Sequence, residues 1–352
     1  MFVSLRCRLS GICLLIAACA IALPSTASAR QVTDSAGRTV TIPDTITHVF
    51  AAGPPASILL YTLRPDVMTS WTRTIRPVDK KYLVPSVRDL PQAGRLTGRG
   101  DTVNLEVLVA NKPDLIIDYG SVTDTYRSLA DRVQTQAGIP YVLIDGKFSN
   151  LPTSLRLMGE ILGVKERGEL LARYAEVTFA RVDAVLKKVP PSARPKVYLA
   201  RRPDGLETGA RGSINTEIIE RVGGINVVEG ITSRGDLLNA SPEQILAWAP
   251  DTIVTLDDDF AAAVGKKPEW AAVPAVKSKR VLLAPDAPFG FVDHPPSINR
   301  LAGLLWLVHA FYPKEAAAES GHDLNRDLRE FYKIFYQSDL SDADIKELLA
   351  GG

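Results

Sequence analysis

Asn104-Leu105-Glu106-Val107-Leu108-Val109-Ala110-Asn111-Lys112-Pro113-Asp114-Leu115-Ile116-Ile117 returns later in the chain as Ser241-Pro242-Glu243-Gln244-Ile245-Leu246-Ala247-Trp248-Ala249-Pro250-Asp251-Thr252-Ile253-Val254. Each residue of the second copy stands 137 positions after its counterpart, as Glu243 does after Glu106. A repeat at that spacing implies two lobes built alike. Glu106 and Glu243 fall in the first turn of a short helix, where a carboxylate faces the positive helix end. Apolar residues follow at helical spacing. Pro-Asp then ends the helix and opens a β-branched, apolar run, which reads as a buried strand. Two α/β lobes leave a cleft between them, and a cleft is a binding architecture first.

Outward from the repeat, strands alternate with helices, the pattern of βαβ units and a mostly parallel sheet. Residues 31–43 read as a hairpin turning at Asp34-Ser35-Ala36-Gly37-Arg38. Strands are expected at 49–53, 115–118 and 141–145, with helices near 124–136 and 151–162. Residues 166–188 contain no proline, and their glycine, Gly168, lies near the start. Their apolar face predicts one helix of about 20 residues, about 30 Å long. The pattern then restarts with strands at 196–200, 252–256 and 280–283 and helices at 214–222, 297–311 and, with breaks, 315–349. The expected organisation is a signal peptide over 1–29, an N-terminal lobe over 30–163, a bridging helix over 164–189 and a C-terminal lobe over 190–352.

The chain begins with Arg6 and Arg8, an apolar run over 9–23, and Ala27-Ser28-Ala29. That run is too short to span a bilayer comfortably and has the form of a cleaved export signal. Ile16-Ala17-Ala18-Cys19 also resembles a lipoprotein cleavage box, so a form anchored through Cys19 stays open. The chain's three cysteines, Cys7, Cys13 and Cys19, all lie in this segment. The mature chain then has no disulfide, thiolate metal site or cysteine nucleophile. Its roughly 300 residues bury an ample core without one. Lys+Arg (41) and Asp+Glu (40) nearly cancel, which argues against broad nucleic-acid binding. The sequence contains no G-x-S-x-G, H-E-x-x-H or Walker A pattern, and no enzymatic activity or cofactor is expected.

Ligands of α/β sheets sit beyond the carboxyl ends of strands. Arg201 and Arg202 end a strand there, and a guanidinium presents a planar fork to carboxylate or catecholate oxygen. A local pair with Glu207 is the plainer alternative. Arg73 and Arg76 occupy a similar loop. Tyr119 ends the strand of the first repeat. Trp71, Phe289 and Phe291 are candidates for aromatic walls, with lobe packing as the alternative. His294, beside Asp293, is a candidate contact to a chelated metal or a structural residue of its loop. It has no second histidine at metal spacing, which disfavours a bare-metal site and favours an organic chelate. Asp257-Asp258-Asp259 reads as a solvated, helix-capping run.

Taken in order, Asp34-Ser35-Ala36-Gly37-Arg38, Val40-Thr41-Ile42-Pro43, Asn104-Leu105-Glu106, Lys112-Pro113-Asp114, Ser213-Ile214-Asn215, Gly223-Gly224-Ile225-Asn226-Val227, Ser241-Pro242-Glu243 and Pro250-Asp251 resemble the periplasmic substrate-binding proteins of iron–siderophore, cobalamin and haem ABC importers. The resemblance covers nearly all of the mature chain. It implies two α/β lobes bridged by one rigid helix, with the ligand between them. It implies a metal chelate as ligand, a ferric siderophore first. Cobalamin, haem, a nickel or cobalt chelate, or a sensory role are the alternatives. It also implies a monomer in the periplasm and a dimeric membrane permease as partner. In the resembled family a glutamate of each lobe meets permease arginines, and the motif carries over onto Glu106 and Glu243.

Overall fold

The computed structural model describes residues 28–98, 103, 105–229, 237–319 and 323–350. Residues 1–27 of the expected export signal, with Cys19, and also Asn104 and His322 lie outside the described residues, whereas Ser28 and Ala29 are described and Ala29 opens the first strand. β1 (Ala29–Thr33) and β2 (Thr39–Pro43) form the expected antiparallel hairpin. The Asp34 carboxylate holds its turn, accepting from the Ala36 and Arg38 amides at 3.0 and 2.9 Å.

Each lobe is built on a parallel sheet. In the first, β3 (Val49–Ala51), β4 (Leu115–Gly120) and β5 (Tyr141–Asp145) lie in sequence order. Around them run α1 (Pro54–Leu63), α2 (Leu105–Ala110), α3 (Asp124–Ala137) and α4 (Leu151–Ile161). The helix α5 (Lys165–Leu186) follows without a break. The second lobe orders its strands β11-β10-β6-β8, with β6 (Lys196–Ala200), β8 (Ile225–Asn226), β10 (Thr252–Thr255) and β11 (Val281–Leu283). A small sheet of β7 (Glu207–Gly209) and β9 (Leu237–Asn239), absent from the sequence expectation, sits beside it. Its helices are α6 (Glu217–Arg221), α7 (Pro242–Trp248), α8 (Asp258–Ala263), α9 (Pro274–Lys277), α10 (Arg300–Phe311), α11 (Pro313–Ala317), α12 (Leu324–Phe331) and α13 (Asp342–Leu349). The central strands are buried on both faces, as parallel sheets covered by helices must be.

The duplicated phrase folds the same way twice, in register. Leu108 and Ile245 are buried at equivalent places on α2 and α7. Lys112 and Ala249, each followed by proline, both adopt left-handed backbone, at φ 43° and 47°. Proline cannot continue a helix, so the chain turns there at some backbone cost. Asp114 and Asp251 then tie the turn to the neighbouring strand. Asp114 accepts from the amides of Thr47 and His48 at 2.7 and 2.9 Å, and Asp251 from that of Lys196 at 3.0 Å.

α5 is gripped by α4 through two glycines. A Cβ on Gly168 would lie 2.7 Å from the Leu155 carbonyl oxygen and 3.0 Å from the Gly159 Cα. Beyond this contact one apolar core runs from Leu155 and Met158 through Leu171, Ala175 and Val182 to Leu301 and Leu304. The chain's end makes a second tie. Tyr332 and Tyr336 form a π turn after α12 and pack on Tyr82 and Tyr61 of the first lobe, each pair 5.4 Å apart. Two elements start later than the sequence pattern suggests. α6 starts at Glu217, because a turn from Ser213 to Thr216 takes up the preceding residues. α10 starts at Arg300, after a turn in which Ser297 carbonyl accepts from the Arg300 amide.

Gly168→Val places branched carbons against the α4 backbone at Leu155 and Gly159. We expect a loss of about 1–3 kcal/mol of stability in urea unfolding, the usual effect of overpacking, with little change in far-UV circular dichroism.

Candidate functional site

Loops leaving the carboxyl ends of both sheets meet between the lobes. From the first lobe comes the loop carrying Arg73 and Arg76. From the second come residues 284–294, beyond β11, and Arg201-Arg202, beyond β6. A cavity of about 190 Å³ lies where they face each other, with Arg73, Arg76, Asp286, Asp293 and His294 in its wall.

Most of the charge here is matched. Arg76 forks onto Asp79 at 2.7 and 2.8 Å and reaches across the cleft to Asp286 at 2.7 Å. Arg201 is largely buried and pairs with Glu207 at 3.0 Å and Asp293 at 3.2 Å. Asp293 is fully buried and also accepts from the Asn215 side-chain amide at 3.0 Å and the His294 backbone amide at 2.7 Å. Arg202, in left-handed backbone at φ 70°, leans toward Glu207 at 3.5 Å with its side chain half exposed. Arg73 differs. It lies over the Phe289 ring at 5.1 Å and donates to the Pro288 carbonyl at 3.2 Å, and among the described residues it forms no ion pair. Burial pulls its pKa below the usual value, yet a guanidinium stays charged at any physiological pH. Its direct contacts are an aromatic face and one carbonyl, while the Asp79 and Asp286 carboxylates act on its charge from beyond ion-pair distance.

His294 has left-handed backbone at φ 67°, between Asp293 and the cis-peptide at Pro295. Solvent reaches the imidazole, but the cleft walls enclose it. That enclosure lowers its pKa first, and the charges of Arg201, Arg73 and Arg202 lower it further, against the pull of Asp293. The neutral ring offers one donor and one acceptor to whatever enters.

The structure places Arg73 and His294 in the cavity wall, with Arg202 close enough to act on the His294 charge and Arg201 behind as the partner of Asp293. It keeps the other expected residues away from the cavity. Trp71 is buried, donates to the Val87 carbonyl at 2.8 Å, and packs at a tilt against Phe289, their ring centres 5.7 Å apart. Phe291 is fully buried, its backbone pressed close to Gly303 of α10. Neither presents a wall to a ligand, because each fills the space where the loops join their lobes. Tyr119 is buried as well. Among the described residues its hydroxyl meets no well-formed hydrogen bond, although Arg300 lies near it, and burial pushes its pKa up to about 12 against the pull of that guanidinium.

Tyr119 lies instead beneath a contact the sequence reading did not identify. Arg300 is fully buried at the start of α10 and donates to Glu217 at 2.6 Å and, across the lobes, to the Gly146 carbonyl at 2.8 Å. Its guanidinium lies 4.6 Å over Phe148, whose amide donates to Glu217 at 2.8 Å. One sign was present in the sequence: an arginine heading an otherwise apolar stretch. Asp257 caps α8 by accepting from the Phe260 amide at 2.9 Å, as its run suggested. Among the described residues no group of three or more His, Cys, Asp or Glu side chains is arranged to hold a metal ion. No helix among them is long and apolar enough to cross a membrane.

A family model described as periplasmic binding protein matches residues 61–288. A relative in Bacillus subtilis (strain 168), the uncharacterized ABC transporter substrate-binding lipoprotein YvrC, is 25% identical over 189 residues, 51% of this chain and 57% of that protein. Among solved structures, an ABC transporter solute binding protein from Sulfurospirillum deleyianum DSM 6946 superposes with a TM-score of 0.81 at 26% identity, over 91% of this chain and 99% of that one. The molybdate periplasmic binding protein MolA of a Haemophilus influenzae ABC transporter, with molybdate bound, shares the fold at a TM-score of 0.71 and 23% identity, over 89% and 99% of the two chains.

His294 should titrate below the usual imidazole range when followed by ring-resolved NMR, and Arg73→Met should move it upward. The folded state disfavours the proton. Stability therefore holds above the usual imidazole pKa and declines as pH falls from there toward the depressed folded value. In denaturant titrations across that window, His294→Gln should flatten the slope.

Proposed function

The chain belongs to the periplasmic binding protein family, and from that premise we propose that it is the extracytoplasmic binding component of an ABC importer. In this reading it captures an anionic metal chelate, a ferric siderophore foremost, and delivers it to a dimeric permease. Export through the N-terminal signal, with lipidation at Cys19 as the anchored form, fits this placement, and the Bacillus subtilis relative is described as a lipoprotein.

The observation that carries the ligand class is Arg73, a cleft guanidinium with no ion pair among the described residues, in one cavity wall with a neutral His294 whose charge the half-exposed Arg202 also influences. Anionic oxygens from a ligand would supply the direct, charge-assisted partner that Asp79 and Asp286, acting only from a distance, do not. Haem and cobalamin fit less well, because Trp71, Phe289 and Phe291, the aromatic residues of the loops around the cleft, are all buried. One observation favours a second reading. A cavity of about 190 Å³ holds a bare oxyanion whole but only the charged head of a siderophore. A sensory role, in which the loaded protein signals to a receptor, would use the same cleft and is separated from import by measuring uptake.

Titration calorimetry with ferric hydroxamates, ferric catecholates, molybdate and haemin tests the ligand class. We expect tight binding of an anionic ferric chelate. Arg73→Ala with Arg202→Ala should weaken it at least about tenfold, about 1.4 kcal/mol. Binding unchanged in the double variant, or a preference for a neutral or cationic ligand, would remove this assignment.

Docking follows from the repeat. Glu106 and Glu243 are both exposed, at equivalent positions of two like lobes. The Ser241 side chain and the local backbone keep the Glu243 carboxyl below its usual range, so it is ionised. We assign each a basic residue on one of two like permease subunits. Glu106→Arg with Glu243→Arg should abolish ligand uptake by cells while leaving calorimetric affinity intact, since like charges would then meet. Normal uptake by the folded, exported variant would end the docking role.

A further inference from the structure

Six large apolar side chains stand exposed among the described residues, and two of them occupy equivalent places in the repeat. Val109 on α2 is 43% exposed and Leu246 on α7 is 44% exposed. Each lies three residues after the exposed glutamate of its helix. Side chains at that spacing are neighbours on one helix face, with Cβ atoms about 5–6 Å apart. Each lobe therefore shows the same exposed pair, one carboxylate and one aliphatic group. The buried positions between them, Leu108 and Ile245, also match.

We infer that Val109 and Leu246 are paired apolar anchors of the docking surface, each seating beside the carboxylate of its lobe on one of two like permease subunits. This rests on the importer reading above. The occupant follows from charge and symmetry. A carboxylate beside each anchor repels an anionic lipid surface, so a membrane is a poor fit. It calls for a protein surface carrying a cation with an apolar rim. Two such patches in one monomer, related by the repeat, match a partner that is itself a two-fold pair. Interfaces of this kind bury an apolar centre within a polar rim. The remaining exposed apolar residues do not show this doubling. Leu170 and Val177 both belong to α5, Val78 to the 3-10 turn Pro77–Tyr82 after Arg76, and Ile225 to an edge strand.

Photo-crosslinking in the native host tests the inference. A benzoylphenylalanine is placed at 109, 246 or, as control, 177 of the full chain, and adducts are identified by mass spectrometry. Positions 109 and 246 should both give adducts with an ABC permease subunit, and position 177 none. With the crosslinker at 247, Val109→Asp should lower the adduct yield at least about fivefold and Val109→Ala less, with thermal melting and ligand affinity retained. Adducts only with lipid or with a second copy of this chain overturn the inference, as does an undiminished yield in Val109→Asp and Val109→Ala. If Glu106→Arg with Glu243→Arg removes the adduct while the Val109 variants keep it, docking stands and the anchors fall. If no position yields a permease adduct, both readings fall.

Discussion

The unbroken helix α5 is the constraint on which the rest depends. A helix of 22 residues has no soft joint, and the glycine contact with α4 fixes how it leaves the first lobe. The lobes are tied again by the terminal tyrosines and by Arg300 reaching Gly146. Wide hinge motion needs a few residues free to take new dihedrals, and no such joint lies within α5. We therefore propose that the cleft adjusts mainly through its own side chains and loops. The movable pieces are those with the fewest partners, Arg73 and Arg202, together with the His294 turn.

That division shows in how charge is spent across the cleft. Asp79, Asp286, Asp293 and Glu207 are all engaged by Arg76, Arg201 and Arg202. A buried charge is tolerated when paired and hydrogen-bonded, and these pairs shape the loops. Arg73 is held by weaker means, an aromatic face and a carbonyl. A cation kept in this way gives up part of its hydration in advance, so the anionic ligand we propose would meet a site that needs little rearrangement.

Much of this fold is legible in the sequence because its signals are local. Proline after a short apolar helix, a β-branched run after Pro-Asp, and the long interval without proline each dictate backbone within a few residues. The duplicated phrase made the lobes visible because both copies kept the same turn chemistry at Lys112 and Ala249. What failed was long-range. Trp71 and Phe291 lie in loops near strand ends, and composition cannot tell an aromatic residue facing a cleft from one anchoring its loop. Asp286 and Arg300 act through partners 210 and 154 residues away. Nothing adjacent in sequence marks such pairs. β7 and β9 are too short for periodicity to register, at 3 residues each.

The two lobes resemble each other unevenly, and the unevenness is informative. Where the repeat is strictest, at the helix of the exposed glutamate, the turn and the first residues of the strand, both lobes keep the same buried, exposed and left-handed positions. At the cleft the likeness disappears. The first lobe contributes a loop of arginines packed on an aromatic ring, and the second contributes a buried aspartate, a cis-proline turn and a neutral histidine. A ligand without two-fold symmetry needs unlike walls, and a partner made of two like subunits needs like surfaces. One duplicated chain meets both demands only if its halves diverge on the inside while holding register on the outside.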